Sequence, residues 1–263
     1  MAERWQPGFD VYSAEVVDGR AVFLVDLAAA DHAPLPSHPV RLDVAIELLR
    51  PRPDGLRADD EADALYAVED RVVQLVESSA GGLYVGRVTA GGRVRFVFYL
   101  PADAAVPALD GLAPYLAEVG AQPDEDWSFF LDILMPGPYS LREMQNRRVL
   151  ARMQELGDQL DLPREIDHLA LFEELEQAAR AAATLRRHGF RVDDLESDGE
   201  GRVEVQFHRV DHCAGGRIDE VSQEILDIVL AEDGEYDGWG AALVEEVEVE
   251  KPAIKPMPGP ETE

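Results

Sequence analysis

His208, Asp211, His212 and Cys213 fall within six residues of a 263-residue chain. Imidazole, carboxylate and thiolate are the ligands of zinc and the parts of a nucleophilic site. With His168 added, this group makes one alternative reading of the chain, a metal- or ligand-binding protein using His168, His208, His212 and Cys213; the other is a general protein-interaction adaptor. No second C-x-x-C or H-x-x-x-H completes a set of four ligands. Strand alternation also turns His208 away from Val203, Val205 and Phe207, so an incidental role is expected. Asp167-His168 could form an acid/base pair, but neighbouring strand residues point to opposite faces. His168 shares a face with Ile166, Ala170 and Phe172, the place of a histidine at the edge of a core. Asp194-Leu195-Glu196-Ser197-Asp198-Gly199 imitates the start of a calcium loop, yet Val205 stands where the bidentate glutamate is due. Gly86 to Gly91-Gly92-Arg93 lacks the lysine and hydroxyl of a phosphate loop. No G-x-S-x-G elbow occurs. The expectation is a non-enzyme without metal or cofactor.

The most specific run is Gly234-Glu235-Tyr236-Asp237-Gly238-Trp239-Gly240. Asp237-Gly238 supplies turn or bulge chemistry at the start of a strand, and Tyr236 and Trp239 add bulk with a polar tip. One reading is that the heptad only seats the last strand. The other is an aromatic pair flanked by Glu235 and Asp237 on an exposed contact patch, a composition favoured at interface hot spots.

Acidic residues number 53 against 24 basic ones, a formal charge of −29. Such a surface repels phosphate, so naked nucleic acid is not an expected partner. It suits a basic or arginine-rich protein segment, paired through salt-sensitive carboxylate–guanidinium contacts. The acidic runs Asp59–Asp63, Asp124–Asp126 and Glu245–Glu250 otherwise read as solvated faces and helix starts. Cys213 is the lone cysteine, which excludes an intrachain disulfide framework. No basic stretch followed by an apolar run opens the chain, and no apolar run reaches the length of a membrane span. A cytoplasmic bacterial protein is expected.

The elements that must position these residues follow from periodicity. Asp10–Val17 and Arg20–Leu27 flank Asp18-Gly19 and read as a hairpin. Arg41–Leu48 alternates as a half-buried strand. Leu65, Val68, Val72 and Leu75 mark one helical face, and Leu109, Leu112, Leu116 and Val119 predict a second helix. Leu83–Thr89, Arg93–Leu100 and Trp127–Leu134 read as strands. A linking helix is expected over Leu141–Leu160, with Val149, Met153, Leu156 and Leu160 on one face. The order then repeats: a strand at Ile166–Phe172, a helix on Leu175, Ala179, Ala182 and Leu185, and a hairpin of Phe190–Leu195 and Arg202–Val210. A helix on Ile218, Val221, Ile225 and Ile228 and a last strand at Tyr236–Val244 complete it. The predicted fold class is α+β: two ferredoxin-like βαββαβ sandwiches in tandem, the first with an extra N-terminal hairpin, joined by a helix. The domains are 1–137, 138–247 and a disordered, acidic, Pro-rich tail over 248–263.

The heptad resembles the Glu-Tyr-Asp-Gly-Trp hallmark of the B-type regulators of ribonuclease E activity. Glu155-Leu156-Gly157-Asp158, Arg164-Glu165-Ile166-Asp167-His168, the Glu- and Ala-rich helix at Glu173–Arg187 and Gly189-Phe190-Arg191-Val192 are similar to the same family, over about 141–247. The front half resembles an uncharacterised bacterial domain family through Gly55-Leu56, Glu61, Leu65, Glu69-Asp70, Val85-Gly86-Arg87-Val88-Thr89, Gly92 and Asp126-Trp127. The resemblance implies an acidic protein that binds ribonuclease E, or a related RNA-processing protein, and restrains it by contact. Asp167, His168, Glu235, Tyr236, Asp237 and Trp239 are the expected partner-binding residues.

Overall fold

The computed structural model describes residues 5–17, 19–197 and 201–244. The chain divides into two compact units, Met1–Gln145 and Asn146–Glu263, and builds two antiparallel sheets with few helices.

In the first unit, β1 (Phe9–Val16) and β2 (Gly19–Asp26) form the expected hairpin. β3 (Val40–Glu47), α1 (Ala62–Ala80), β4 (Leu83–Ala90), β5 (Arg93–Leu100) and β6 (Ala117–Pro123) follow. The six strands lie in the order β1-β2-β4-β5-β3-β6. Alternation gives the sheet two apolar faces. Leu42, Val44, Ile46, Phe96 and Phe98 pack beneath Leu65, Val68, Val72 and Val76 of α1. Tyr12, Phe23, Val25, Val85, Val97 and Tyr99 form the opposite face with Trp127, Phe130 and Leu134.

Two predicted elements are absent here. No helix forms on Leu109, Leu112, Leu116 and Val119: Leu112 is buried, but Leu116 is 86% and Val119 41% exposed. Pro114 removes a helix donor inside that stretch, Gly111 sits at φ +82°, and the end of it becomes edge strand β6. Trp127–Leu134 is not a strand, because Phe129–Leu134 is a π-helical turn. The Asp124 carboxylate starts it, accepting from the Ser128 N–H at 2.9 Å and hydroxyl at 2.7 Å and from the Phe129 N–H at 3.2 Å. The first unit therefore lacks the second helix of a βαββαβ sandwich, and its last strand is β6, paired with β3, in place of the expected Trp127–Leu134.

The helix α2 (Pro138–Glu155) carries Gln145, the last residue of the first unit, and Asn146, the first of the second. Its buried positions include Met144, Asn146 and Met153, while Val149 and Leu156, expected on the apolar face, are exposed. The second unit then runs β7 (Arg164–Phe172), α3 (Leu175–Arg187), β8 (Arg191–Val192), β9 (Glu196–Ser197), β10 (Val203–Asp211), α4 (Arg217–Leu230) and β11 (Glu235–Ala241). This is the predicted element order, with strands ordered β11-β7-β10-β8 and β9 paired to β10. Ala178, Ala181, Ala182 and Leu185 of α3 and Val221, Ile225, Leu226 and Val229 of α4 close over one sheet face, on Ala170, Phe172, Val205, Phe207 and Tyr236. The buried stripe of α3 starts at Ala178, one residue before the expected Ala179, and Leu175 is exposed. The Asp198-Gly199 turn and the 248–263 tail lie outside the described residues.

Candidate functional site

Among the described residues β11 is an edge strand, and its inner side pairs with β7. The register shifts between Tyr236 and Gly238, a bulge that Gly238 accommodates at φ +148°. That extra residue decides where the heptad points. Tyr236 stands opposite Ala170 and Trp239 opposite His168, so both aromatics fall on the helix-covered face. Gly238 stands opposite Leu169 and Gly240 opposite Asp167, on the open face.

The interior placement is held by specific bonds. Tyr236 is 4% exposed, and its hydroxyl lies 2.8 Å from Nδ1 of His168, itself 3% exposed. The His168 ring stacks on Phe207 at 5.3 Å and meets Phe190 edge-on at 5.7 Å. The half-buried Trp239 donates from Nε1 to Oδ1 of Asn146 at 2.7 Å. Asn146 in turn donates from Nδ2 to Asp219 Oδ1 at 2.8 Å and Ser222 Oγ at 3.2 Å, linking α2, α4 and β11. The expected exposed aromatic patch is thus not what the chain presents: Tyr236 is core, and Trp239 shows only part of its ring.

A buried ion pair fixes both strands at their far end. Gly157 ends α2 at φ +81°, and Asp158 Oδ2 accepts from Arg164 Nη1 at 2.6 Å and from the Val244 N–H at 2.8 Å. Arg164 also donates to the carbonyls of Leu162, Gln159 and Ala242. Burial would raise the Asp158 carboxyl. The hydrogen bonds from Arg164 and Val244, with the guanidinium charge, outweigh it and hold the group below its ordinary value.

On the open face, the two glycines leave the floor bare, and an open groove of about 330 Å³ results. Asp167, Asp193 and Asp237 stand around it, with Leu169, Gln206 and His208 completing the wall. Asp167, Asp193 and Asp237 are exposed, as is Glu235 beside them. His208 lies on this face, its Nδ1 4.0 Å from Asp193 Oδ2. The groove is negative, open and backed by the floor of a β-sheet, a shape that can receive an extended cationic side chain.

The alternative metal cluster does not assemble. His168 lies on the covered face and His208 on the open one, whereas Cys213 is buried with Met153, Ile166 and Ile218. Burial pushes the Cys213 thiol up, away from the thiolate a metal needs. Asp211 is engaged by Arg209 at 2.7 Å and Arg217 at 2.8 Å. Among the described residues, no three of His, Cys, Asp and Glu are placed to hold a metal ion. No helix among them is long and apolar enough to cross a membrane.

Sequence reasoning missed Asn146 and Asp193; it anticipated a bulge at Asp237-Gly238 but not that Gly238 and Gly240 floor a groove. Asn146 could have been flagged as the polar member of the Asn146, Leu150, Met153 stripe. Asp193 comes to the groove only through sheet pairing.

Residues 4–135, half of the chain, match the model of a family of unknown function (DUF695). The chain belongs to that family. Residues 143–241, which include Asp158, Arg164, β7 and β11, match the regulator of ribonuclease activity B. No curated protein matches the chain. Among solved structures, a crystal structure of an unknown protein from Galdieria sulphuraria aligns over 78% of this chain and 99% of that one, at 9% identity and a TM-score of 0.20. That likeness is too loose to bear on the fold.

Proposed function

We propose that the chain is a non-catalytic regulator that binds ribonuclease E, or a related RNA-processing protein, and masks an arginine-rich segment of it. The observation that carries this reading is the acidic groove lying on strands β7, β10 and β11 of the segment similar to the regulator of ribonuclease activity B. In this reading Asp167, Glu235 and Asp237 pair with partner guanidinium groups. Trp239, His168 and Tyr236 act from the covered face, holding β7 and β11 in register beneath the groove. The aliphatic stem of a partner arginine lies over Gly240 and Leu169, and its planar head meets two carboxylates. The domains are read as 1–137 and 138–247, a boundary a few residues ahead of the Gln145/Asn146 division of the folded units, with the acidic tail following and the protein working in the cytoplasm.

Gly240 offers a clean test, because a Cβ built there meets nothing within 4 Å. Gly240→Val fills the groove without crowding the fold. Binding of purified ribonuclease E to the full chain is measured by calorimetry at about 50 mM and about 500 mM salt. The expected result is binding that weakens with salt and is lost in Gly240→Val. The double variant Asp167→Asn/Asp237→Asn is expected to bind about tenfold or more weakly. Salt-indifferent binding, or binding unchanged in both variants, overturns the proposal.

A further inference from the structure

β5 is an inner strand of the first sheet, flanked by β4 and β3. Its alternation puts Arg93 and Arg95 on the face that also carries Val97 and Tyr99. Arg95 stands in register between Val88 on one side and Ala45 on the other, a setting that suits an apolar residue. The π-helical turn covers only part of this face. Beside it lies a cavity of about 290 Å³ walled by Ala21, Phe23, Val88, Ala90, Phe129 and Ile133, with Ala45, Arg93 and Arg95 at its border.

Asp43 pairs with Arg41 at 2.9 Å, Glu118 pairs with Arg93, and Glu47 stands opposite Arg93 in register rather than opposite Arg95. Among the described residues, the Arg95 guanidinium has no ion-pair or hydrogen-bond partner. In a chain of net charge −29, Arg95 is thus a solvated cation with no acidic partner, standing beside aliphatic and aromatic surface.

We propose that this cavity binds a small amphiphilic carboxylate, its apolar body lying on Phe23, Val88 and Ile133 and its head group paired with Arg95. At roughly 30 Å³ per water-sized atom, the volume holds about ten non-hydrogen atoms, the size of octanoate. An apolar hollow with one convergent charged group is the common form of a small-ligand site. The inference rests on the first unit alone and stands or falls separately from the ribonuclease reading.

The test is calorimetric titration of the full chain with octanoate, 1-octanol and octylamine. Octanoate is expected to saturate at one per chain, with 1-octanol about tenfold weaker and octylamine not binding. Arg95 is exposed, so Arg95→Gln is expected to keep the thermal midpoint and lose about tenfold in octanoate affinity, leaving 1-octanol unchanged. Ala45→Phe, which fills the hollow, is expected to abolish both. Absence of saturable octanoate binding in the folded chain overturns the proposal, as does equal affinity for octanoate and 1-octanol, or an Arg95→Gln variant that binds octanoate as tightly.

Discussion

Asp158 and Arg164 have side chains 0% and 5% exposed, so their bond is made away from water. Removing one partner of such a pair strands the other charge. Asp158→Asn is therefore expected to lower unfolding stability by about 3–5 kcal/mol near neutral pH, read by urea denaturation. The pH dependence has a definite sign. The folded carboxyl is held below its ordinary value of 3.8, so its stabilisation is complete above that pH and is lost as pH falls through the folded value. The gap between the native chain and Asp158→Asn should close below pH 3.8 and stay constant between about pH 5 and 8. Tyr236→Phe removes only the hydroxyl bonded to His168. A loss of about 1 kcal/mol with the fold intact is expected by the same measurement.

β4 depends on one residue that cannot carry a side chain. Its register shifts between Tyr84 and Gly86, and Gly86 sits at φ +147° with its α-carbon pressed toward β2. A Cβ there would lie 2.1 Å from the Leu24 carbonyl oxygen, which is backbone and cannot swing aside. Gly86→Ala is expected to destabilise the first unit by roughly 3 kcal/mol or more, seen as a fall in thermal midpoint. The Val85-Gly86-Arg87 run was visible in the sequence as a strand, but the bulge was not, since it exists only once β2 lies alongside. Strand β3 was legible because period-2 alternation records which face is buried, whereas β4 and β5, buried on both faces over much of their length, read as apolar β-prone runs either side of Gly91-Gly92. The stretch from Leu109 to Val119 misled because leucines at helical spacing carried the helical period without its hydrogen-bond donors: Pro114 breaks the ladder, and β6 forms by pairing with β3.

At the scale of the whole molecule, charge is the dominant feature. With 53 carboxylates against 24 cations, self-repulsion opposes the compact state. Salt screens that repulsion over about 10 Å at 0.1 M. The thermal midpoint is expected to rise by several degrees between about 10 mM and 0.5 M sodium chloride, the reverse of the weakening expected for partner binding. Scanning calorimetry across that range checks the sign. A falling midpoint would mean that the attractive pairs, such as Arg209 with Asp211 and Glu224, outweigh the net repulsion.

Composition, strand alternation and the order of β7 to β11 were decided by the chain itself, because each depends on neighbours a few residues away. The same holds for the Glu-Tyr-Asp-Gly-Trp run, whose residue types are compatible with few other places than a bulged edge strand. Where that run points was decided by tertiary structure. Alternation alone puts Tyr236 and Trp239 on opposite faces; the bulge at Gly238 turns both inward, and Asn146, ninety-three positions before Trp239 in sequence, supplies the acceptor that keeps the indole there. The bare floor over Gly238 and Gly240, and the meeting of Asp167, Asp193 and Asp237 around it, arise only from cross-strand pairing. Such pairing joins residues far apart in the chain and leaves no local period to read.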